Sequence, residues 1–363
     1  MRVALVYDRL NKIGGAEKVL EAFHQIYPKA DWYTSVWNPR RAPFSKGWRV
    51  YTSWVNHIPY LRNHHEWIPW LMPFIFESFD FSAYDLVISI GSAEAKGIIT
   101  GTRTTHINYC LTPTRYLYSH RSEYLSNPLY RLIAKYLRKW DLVAATRPDT
   151  MIAISTQVKK RIKDIYNREV DIIFPPIDTK KFSAKFLSPT SSLLESNYYL
   201  TVSRLVPYKR LDKLIEVFNQ NGLTLVIVGE GSDLARLKRL AQPNIIFTGA
   251  VSDTQLVGYY QNCRAFVHAG EEDFGIAMCE ALAAGKPVIA RALGGALDIV
   301  QDAESGILVQ SDTLTDWQRA ITACEKTTFS IAACQQNACR FDQTKWITQM
   351  KGRIDAICQT HQK

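Results

Sequence analysis

The chain has 363 residues, 47% hydrophobic and 21% charged, which excludes a disordered polymer and is too long for one ordinary core. No run of 18 apolar residues occurs, so a membrane-spanning helix is not expected; seven scattered cysteines without a CxxC pair or an HExxH fit free thiols in a reducing compartment and no structural metal. The net charge of +10 is uneven: residues 1–185 carry 27 Lys+Arg against 16 Asp+Glu, residues 186–363 carry 17 against 18, so the excess lies wholly in the N-terminal half. Such asymmetry points to an anionic partner there (a lipid surface, a phosphorylated substrate or nucleic acid) or to a basic solvated face.

In chain order, VALVYD (3–8) reads as a strand and leaves no room for a signal peptide before it. GGAEKVLEAFHQIY follows, with Val19, Leu20, Phe23 and Ile26 at helical spacing. Residues 54–84 break the rhythm with nine aromatics in 31 residues, either a core-packing loop or an acceptor-binding or membrane-facing lip. DLVISIG (85–91), HINYC (106–110) and MIAIS (151–155) resume the strand pattern. A proline-, serine- and lysine-rich stretch over 175–197 reads as a linker. The alternation then restarts: YYLTVSRL (198–205), LTLVIVGEG (223–231), NIIFTGAV (244–251) and RAFVHAG (264–270) are strands separated by helical segments. Short continuous apolar strands alternating with helices imply parallel sheets covered on both faces, here twice over. The expected organisation is an N-terminal domain 1–178, a linker 179–197, a C-terminal domain 198–340 and a final helix 341–363.

The chemistry concentrates in GEEDFGIAMCEALAAGKPVIA (270–290). Its acids follow a strand, at the carboxyl end where open α/β sheets bind ligands. IAMCEALAA is a short helix, apolar nearly all round, that ends at Gly285-Lys286-Pro287 and carries one carboxylate, Glu280. An uncompensated carboxylate there costs several kcal/mol, so the sequence calls for a structural Arg or Lys or for the vicinal hydroxyls of a ligand.

Glu272 and Glu280 stand as E-x7-E, and the whole stretch resembles the signature of retaining nucleotide-sugar glycosyltransferases of family 4. IGGAEKVLE, VSRLVPYKRLD, VGEGSD and FTGAVSD match the same family in order, strongly over 198–310 and more loosely before it. The resemblance implies the GT-B fold: two facing Rossmann-like doubly wound domains, the C-terminal helix returning to the first. It implies that Glu280 binds the donor ribose, that Glu272 holds hydroxyls of the transferred sugar, and that the amides of Phe274, Gly275 and Ile276 face the diphosphate. Arg204 and Lys209 would neutralise the leaving diphosphate in a metal-independent enzyme without a cofactor; the sequence has no Asp-x-Asp pair. Gly14 and Gly15 would let a backbone loop approach the diphosphate, and the base would meet contacts near Gly249–Val251.

HINYCLTPTRYLYS (106–119) resembles a segment of mannosyltransferase-like members in which a histidine follows the cysteine; here Leu111 stands there. Arg115 and Tyr118 match and are candidate acceptor contacts, whereas His106 and His120 read as structural or surface residues. His268, where relatives usually carry proline, is a packing residue or a ligand contact. The expected protein is a cytoplasmic, membrane-peripheral hexosyltransferase, first an α-mannosyltransferase using GDP-mannose, with UDP sugars as runner-up. Its acceptor would be a saccharide, lipid-diphosphate-linked, in polysaccharide assembly, with an anionic membrane surface and no nucleic acid as partner. Two rivals are a nicotinamide dehydrogenase, which VIVGEGSDL opposes because Leu234 takes the place of the third glycine, and a non-catalytic GT-B protein, which Leu111 favours.

Overall fold

The computed structural model describes residues 1–12, 14–64, 67–118, 128–184 and 197–361. His120 and most of the linker segment lie outside the described residues. The chain divides into two units, Met1–Pro176 with Trp346–Lys363, and Ile177–Lys345.

The first unit is built on seven parallel strands: β1 (Val3–Tyr7), β2 (Asp31–Thr34), β3 (Arg49–Thr52), β4 (Leu86–Gly91), β5 (Thr105–Cys110), β6 (Thr150–Ala153) and β7 (Asp171–Ile172), in the order β3-β2-β1-β4-β5-β6-β7. β4 and β5 are buried along their whole length, as central strands covered on both faces must be. β2, β3 and β7 go beyond the strands read from the sequence. β3 is an edge strand whose side chains alternate between exposed and half-buried, and β7 is two residues long, so neither carries a continuous apolar run.

The second unit has six parallel strands: β8 (Tyr199–Val202), β9 (Leu225–Val228), β10 (Ile245–Gly249), β11 (Ala265–His268), β12 (Val288–Arg291) and β13 (Gly306–Val309), in the order β10-β9-β8-β11-β12-β13. Its helix Leu211–Asn221 buries Leu211, Leu214, Ile215 and Phe218, one helical face, against this sheet and stops at Gly222. Each such side chain contributes about 1.5–3 kcal/mol on leaving water. Strand order reverses between β1 and β4 in the first sheet and between β8 and β11 in the second, and each reversal opens a crevice at the carboxyl ends of the strands.

The last helix, Gln343–His361, belongs mostly to the first unit, where Trp346 is buried edge-on against Phe23 and Tyr109 with ring centroids 4.9 and 6.1 Å away. The aromatic stretch 54–84 divides between two environments. Phe76, Phe81 and Tyr84 are core residues, while Trp54, Tyr60, Trp67, Trp70 and Phe74 are exposed. Its prolines open short helical turns at Pro59, Pro69 and Pro73, where a missing N–H costs nothing.

Candidate active site

In the second unit the crevice is made by the loops that follow β8 and β11. After β8 the chain passes Arg204 and enters a 3-10 turn, Pro207–Lys209. Arg210 ends that turn in the left-handed region at φ 54, a conformation held by Asp312 at 3.0 Å from its guanidinium. The reversal turns Lys209 inward: only 8% of the residue is exposed, and its ammonium pairs with Glu272 Oε1. Arg204 stays exposed and donates to the Tyr208 hydroxyl at 2.6 Å, and the Tyr208 ring lies 5.2 Å from the Lys209 ammonium. Tyr208 thus bridges the two cations, a role the sequence reading did not assign.

After β11 come His268, the acids and the helix Ile276–Ala283. Gly275, at φ 115, turns the chain into the helix in a conformation closed to most side chains. Phe274 directs its ring into the interior against Phe341, centroid distance 5.3 Å, so only its backbone faces the crevice. A third loop, after β12, closes against the acids: Gly295 N–H donates to Glu272 O at 2.9 Å, and a Cβ at Gly295 would lie 1.8 Å from Phe274 O. That requirement for glycine comes from a close backbone approach that spacing alone does not reveal.

His268 is buried, its Nε2 3.4 Å from Glu272 Oε1. Burial and then the Lys209 charge lower its pKa, against the opposing pull of Glu272. Glu280 is half-buried one helix into the site and has a hydrogen-bond partner that its sequence did not suggest. The fully buried Tyr260 hydroxyl donates to its Oε2 at 2.8 Å, and burial together with that carboxylate raises the tyrosine pKa far above its usual value.

The structure therefore brings Arg204, Lys209, Glu272, Phe274, Gly275 and Ile276 to one edge of this sheet, with Glu280 behind them. Val251 follows β10, two strands out from β8, roughly 10 Å across the sheet at the usual strand spacing. The remaining candidates belong to the first unit. Gly14 and Gly15 are exposed in the loop after β1, and Gly14 N–H donates to the Glu17 carboxylate. Among the described residues, a Cβ at Gly14 would meet only that carboxylate, at an ordinary 3.6 Å.

Around β1, β4 and β5 of the first unit lies a buried charged network not foreseen from sequence. Asp8 accepts from the Ser92 and Ala95 amides at 2.8 Å each, and Arg9 pairs with Glu94 at 2.7 Å. Lys96 pairs with Asp141, which also accepts from the Tyr118 and Tyr166 hydroxyls at 3.0 and 2.8 Å. The hydroxyl of Tyr118 is thus engaged inside the unit. Leu111, half-buried at the end of β5, bonds the Gly91 carbonyl through its amide at 2.9 Å. His106 is wholly buried, with Nε2 2.8 Å from Ser89 Oγ, as its structural reading required. No group of three or more His, Cys, Asp or Glu able to hold a metal occurs among the described residues, and no helix among them is long and apolar enough to cross a membrane.

Residues 185–340 match the family model of glycosyl transferases group 1. A GDP-mannose-dependent alpha-mannosyltransferase of Mycobacterium tuberculosis is 42% identical over 109 residues, 30% of this chain and 29% of that protein. A GDP-mannose-dependent alpha-(1-6)-phosphatidylinositol monomannoside mannosyltransferase of the same species is 30% identical over 186 residues, 44% of this chain and 48% of that protein. The matches to these curated relatives thus span less than half of their own length. Among solved structures, Anabaena Alr3699/HepE in complex with UDP-glucose superimposes with a TM-score of 0.74 at 20% identity, covering 98% of this chain and 100% of that one. Sucrose-phosphate synthase from Thermosynechococcus elongatus superimposes with a TM-score of 0.74 at 16% identity, covering 98% and 99%. The likeness to glycosyl transferases group 1 thus covers residues 185–340, and the chain as a whole has the GT-B fold.

Proposed function

We propose that this chain transfers a hexose from a nucleotide diphosphate sugar to a saccharide acceptor with retention of anomeric configuration, without a metal or other cofactor. The observation that carries the proposal is the Lys209–Glu272 pair at the strand-order reversal of the second unit: a cation suited to a diphosphate beside a carboxylate suited to sugar hydroxyls. In this reading Arg204 and Lys209 stabilise the leaving diphosphate, and the amides of Phe274, Gly275 and Ile276 face its oxygens. Glu272 orients the hexose, Glu280 binds the ribose, and the backbone around Val251 meets the base. Gly14 and Gly15 bring a side-chain-free loop to the donor. The bond from the anomeric carbon to the diphosphate breaks as the bond to the acceptor oxygen forms on the same face, and the acceptor proton passes to the diphosphate. Arg115 and the ring of Tyr118 are the acceptor contacts.

GDP-mannose is the first donor, supported by the names of the mycobacterial relatives, and a UDP sugar the second, supported by the UDP-glucose complex of HepE. The acceptor is a lipid-diphosphate-linked saccharide of polysaccharide assembly, met by a cytoplasmic protein at an anionic membrane surface. Supporting this are the positive charge of residues 1–185 and an apolar groove of about 520 Å³ lined by Trp70, Phe74, Leu132, Ile133 and Tyr136. On the helix Pro128–Ala144 the exposed Leu132 and Tyr136 run beside the exposed Arg131, Lys135 and Lys139.

The experiment is a thermal-shift panel of GDP, UDP, ADP and their sugar conjugates without metal, followed by transfer from radiolabelled donor. A ligand at 100 times its dissociation constant adds about 2.7 kcal/mol of stability. A selective shift by GDP or GDP-mannose, with label appearing in a lipid-linked glycan, is the expected result. Binding without transfer to any saccharide would favour a non-catalytic nucleotide-sugar or glycan-binding protein, the reading that Leu111 suggests, and no shift would overturn the donor reading itself.

A further inference from the structure

Arg210 adopts a backbone that most residues avoid. With φ 54 and ψ 37 it sits in the left-handed region, where an L side chain crowds the following carbonyl and glycine does not. Asn167 shares this region, but it has the short polar side chain that tolerates it. Arg210 is a long cation, and something its side chain does must offset the strain.

The guanidinium reaches Asp312, Nη1 to Oδ2, at 3.0 Å. Asp312 lies beyond the end of β13, and its Oδ1 accepts from the indole N–H of Trp317 at 3.1 Å. Trp317 is wholly buried on the helix Leu314–Lys326, so it fixes the carboxylate independently of any cation. Arg291, at the end of β12, stands 3.8 Å from the same Oδ2, and Asp212 stands 3.7 Å from Arg210 Nε; both are beyond hydrogen-bond length. The 3.0 Å contact is therefore the clamp. Only 19% of the Asp312 side chain is exposed, which limits screening of that contact.

What the clamp holds is the orientation of Lys209. The Arg210 N–H donates to Pro207 O at 3.0 Å, and its carbonyl accepts from the Lys213 amide at 3.1 Å. The residue thus closes the 3-10 turn and opens the helix Leu211–Asn221. Lys209 stands immediately before this reversal, with its main chain against the acid loop: a Cβ at Gly270 would lie 2.9 Å from Lys209 O and 3.0 Å from its Cα. A turn relaxed to negative φ would reset Lys209 against that loop. We infer that Asp312 is a positioning residue: through Arg210 it fixes the left-handed turn that aims the Lys209 ammonium at the donor diphosphate. The inference rests on the donor reading of the preceding section. It also names a suppressor, because glycine at position 210 adopts this φ unaided and makes Asp312 dispensable.

The test compares the wild type, Asp312→Asn, Arg210→Gly and Arg210→Gly/Asp312→Asn, each as the full chain. Asparagine keeps an oxygen for the Trp317 indole and removes the charge that Arg210 meets. Each protein is titrated calorimetrically with GDP and GMP, and with UDP and UMP, and the diphosphate-to-monophosphate affinity ratio is read for the preferred base. A general loosening of the domain lowers both affinities together and leaves the ratio alone. Asp312→Asn should lower the ratio about tenfold, the loss of one charge-assisted contact. Arg210→Gly and the double variant should keep the wild-type ratio. An unchanged ratio in Asp312→Asn, or a loss that persists with glycine at 210, overturns the role of Asp312 and leaves the donor reading standing. A loss in Arg210→Gly equal to that in Asp312→Asn means that the guanidinium itself meets the ligand, and overturns the role as well. A wild type that binds no nucleotide, or holds the monophosphate as tightly as the diphosphate, overturns the donor reading together with this one. Should Asp312→Asn not fold, the double variant decides: it should fold and keep the wild-type ratio, and its failure to fold would assign Asp312 to packing of the domain and refute the clamp.

Discussion

Lys209 holds Glu272 across the strand-order reversal of the second unit although 63 residues separate them. Each sits on the loop of a different strand, and β8 and β11 are neighbours only because the sheet folds back at that point. The pairing is therefore a property of strand order, and it places two opposite charges where both are largely screened from water.

Removing one member of a buried ion pair costs about 3–5 kcal/mol when burial is complete. Because a fifth of the Glu272 side chain is exposed, we predict that Lys209→Met lowers unfolding free energy by about 2–3 kcal/mol in urea. The double variant Lys209→Met/Glu272→Gln removes both charges and should recover most of that loss while remaining inactive. A double variant as unstable as the single one would mean that the lysine acts through packing of its stem.

Glu280 and Tyr260 allow a second separation. Tyr260→Phe removes the hydroxyl that holds Glu280 but leaves the ring in the core, so a stability loss of about 1–2 kcal/mol is expected. Glu280→Ala should abolish the thermal shift by the preferred nucleotide while the apoprotein still unfolds cooperatively. Retention of a full shift in Glu280→Ala would remove that carboxylate from the ribose site.

The contrast between these pairs shows what a sequence can carry. Strands β8 to β11 of the second unit, the helix Ile276–Ala283 and the two glutamates are legible because apolar runs and E-x7-E spacing are local properties. Tyr260 is not, since it lies 20 residues before Glu280 on another helix and looks like any core aromatic. Tyr208 and Gly295 escape for the same reason: one stacks on a cation brought by a turn, the other makes room for a backbone from a different loop. In the first unit, Asp8, Glu94, Lys96 and Asp141 come together only through the order of β1, β4 and β5 and the helix Pro128–Ala144. Leu111, read as the departure from the resembled segment, is by contrast visible in the sequence at once.

Acid sensitivity of the first unit should trace to His106. Burial first, then the charges of Arg168 and Arg147, lower its pKa from 6.5 to about 3, so the folded protein keeps the ring neutral. Between those values the unfolded chain binds a proton that the folded chain refuses. This contribution is thus complete above pH 6.5 and is lost as pH falls, at up to about 1.4 kcal/mol per unit. Between pH 7.5 and 5.0 the wild type should lose about 2 kcal/mol more than His106→Asn, measured by urea unfolding at each pH. Equal losses would remove His106 as the origin.

The membrane reading makes the sharpest demand on the first unit, because it assigns separate work to two kinds of side chain. Lys135 and Lys139 lie one helical turn apart on the exposed side of Pro128–Ala144 and would meet anionic headgroups, each worth about 1 kcal/mol near such a surface. Trp70, Phe74 and Tyr136 line the groove and would contribute apolar burial that salt does not screen. In cosedimentation with phosphatidylglycerol-containing vesicles, replacing either lysine by glutamine should lower partition roughly fivefold at low salt and less at 0.5 M salt. Trp70→Ser should lower it by a similar factor at both. Wild-type binding that ignores vesicle charge, or a Trp70→Ser effect that vanishes at high salt, would show that this face is a basic solvated surface and that the lipid reading is wrong.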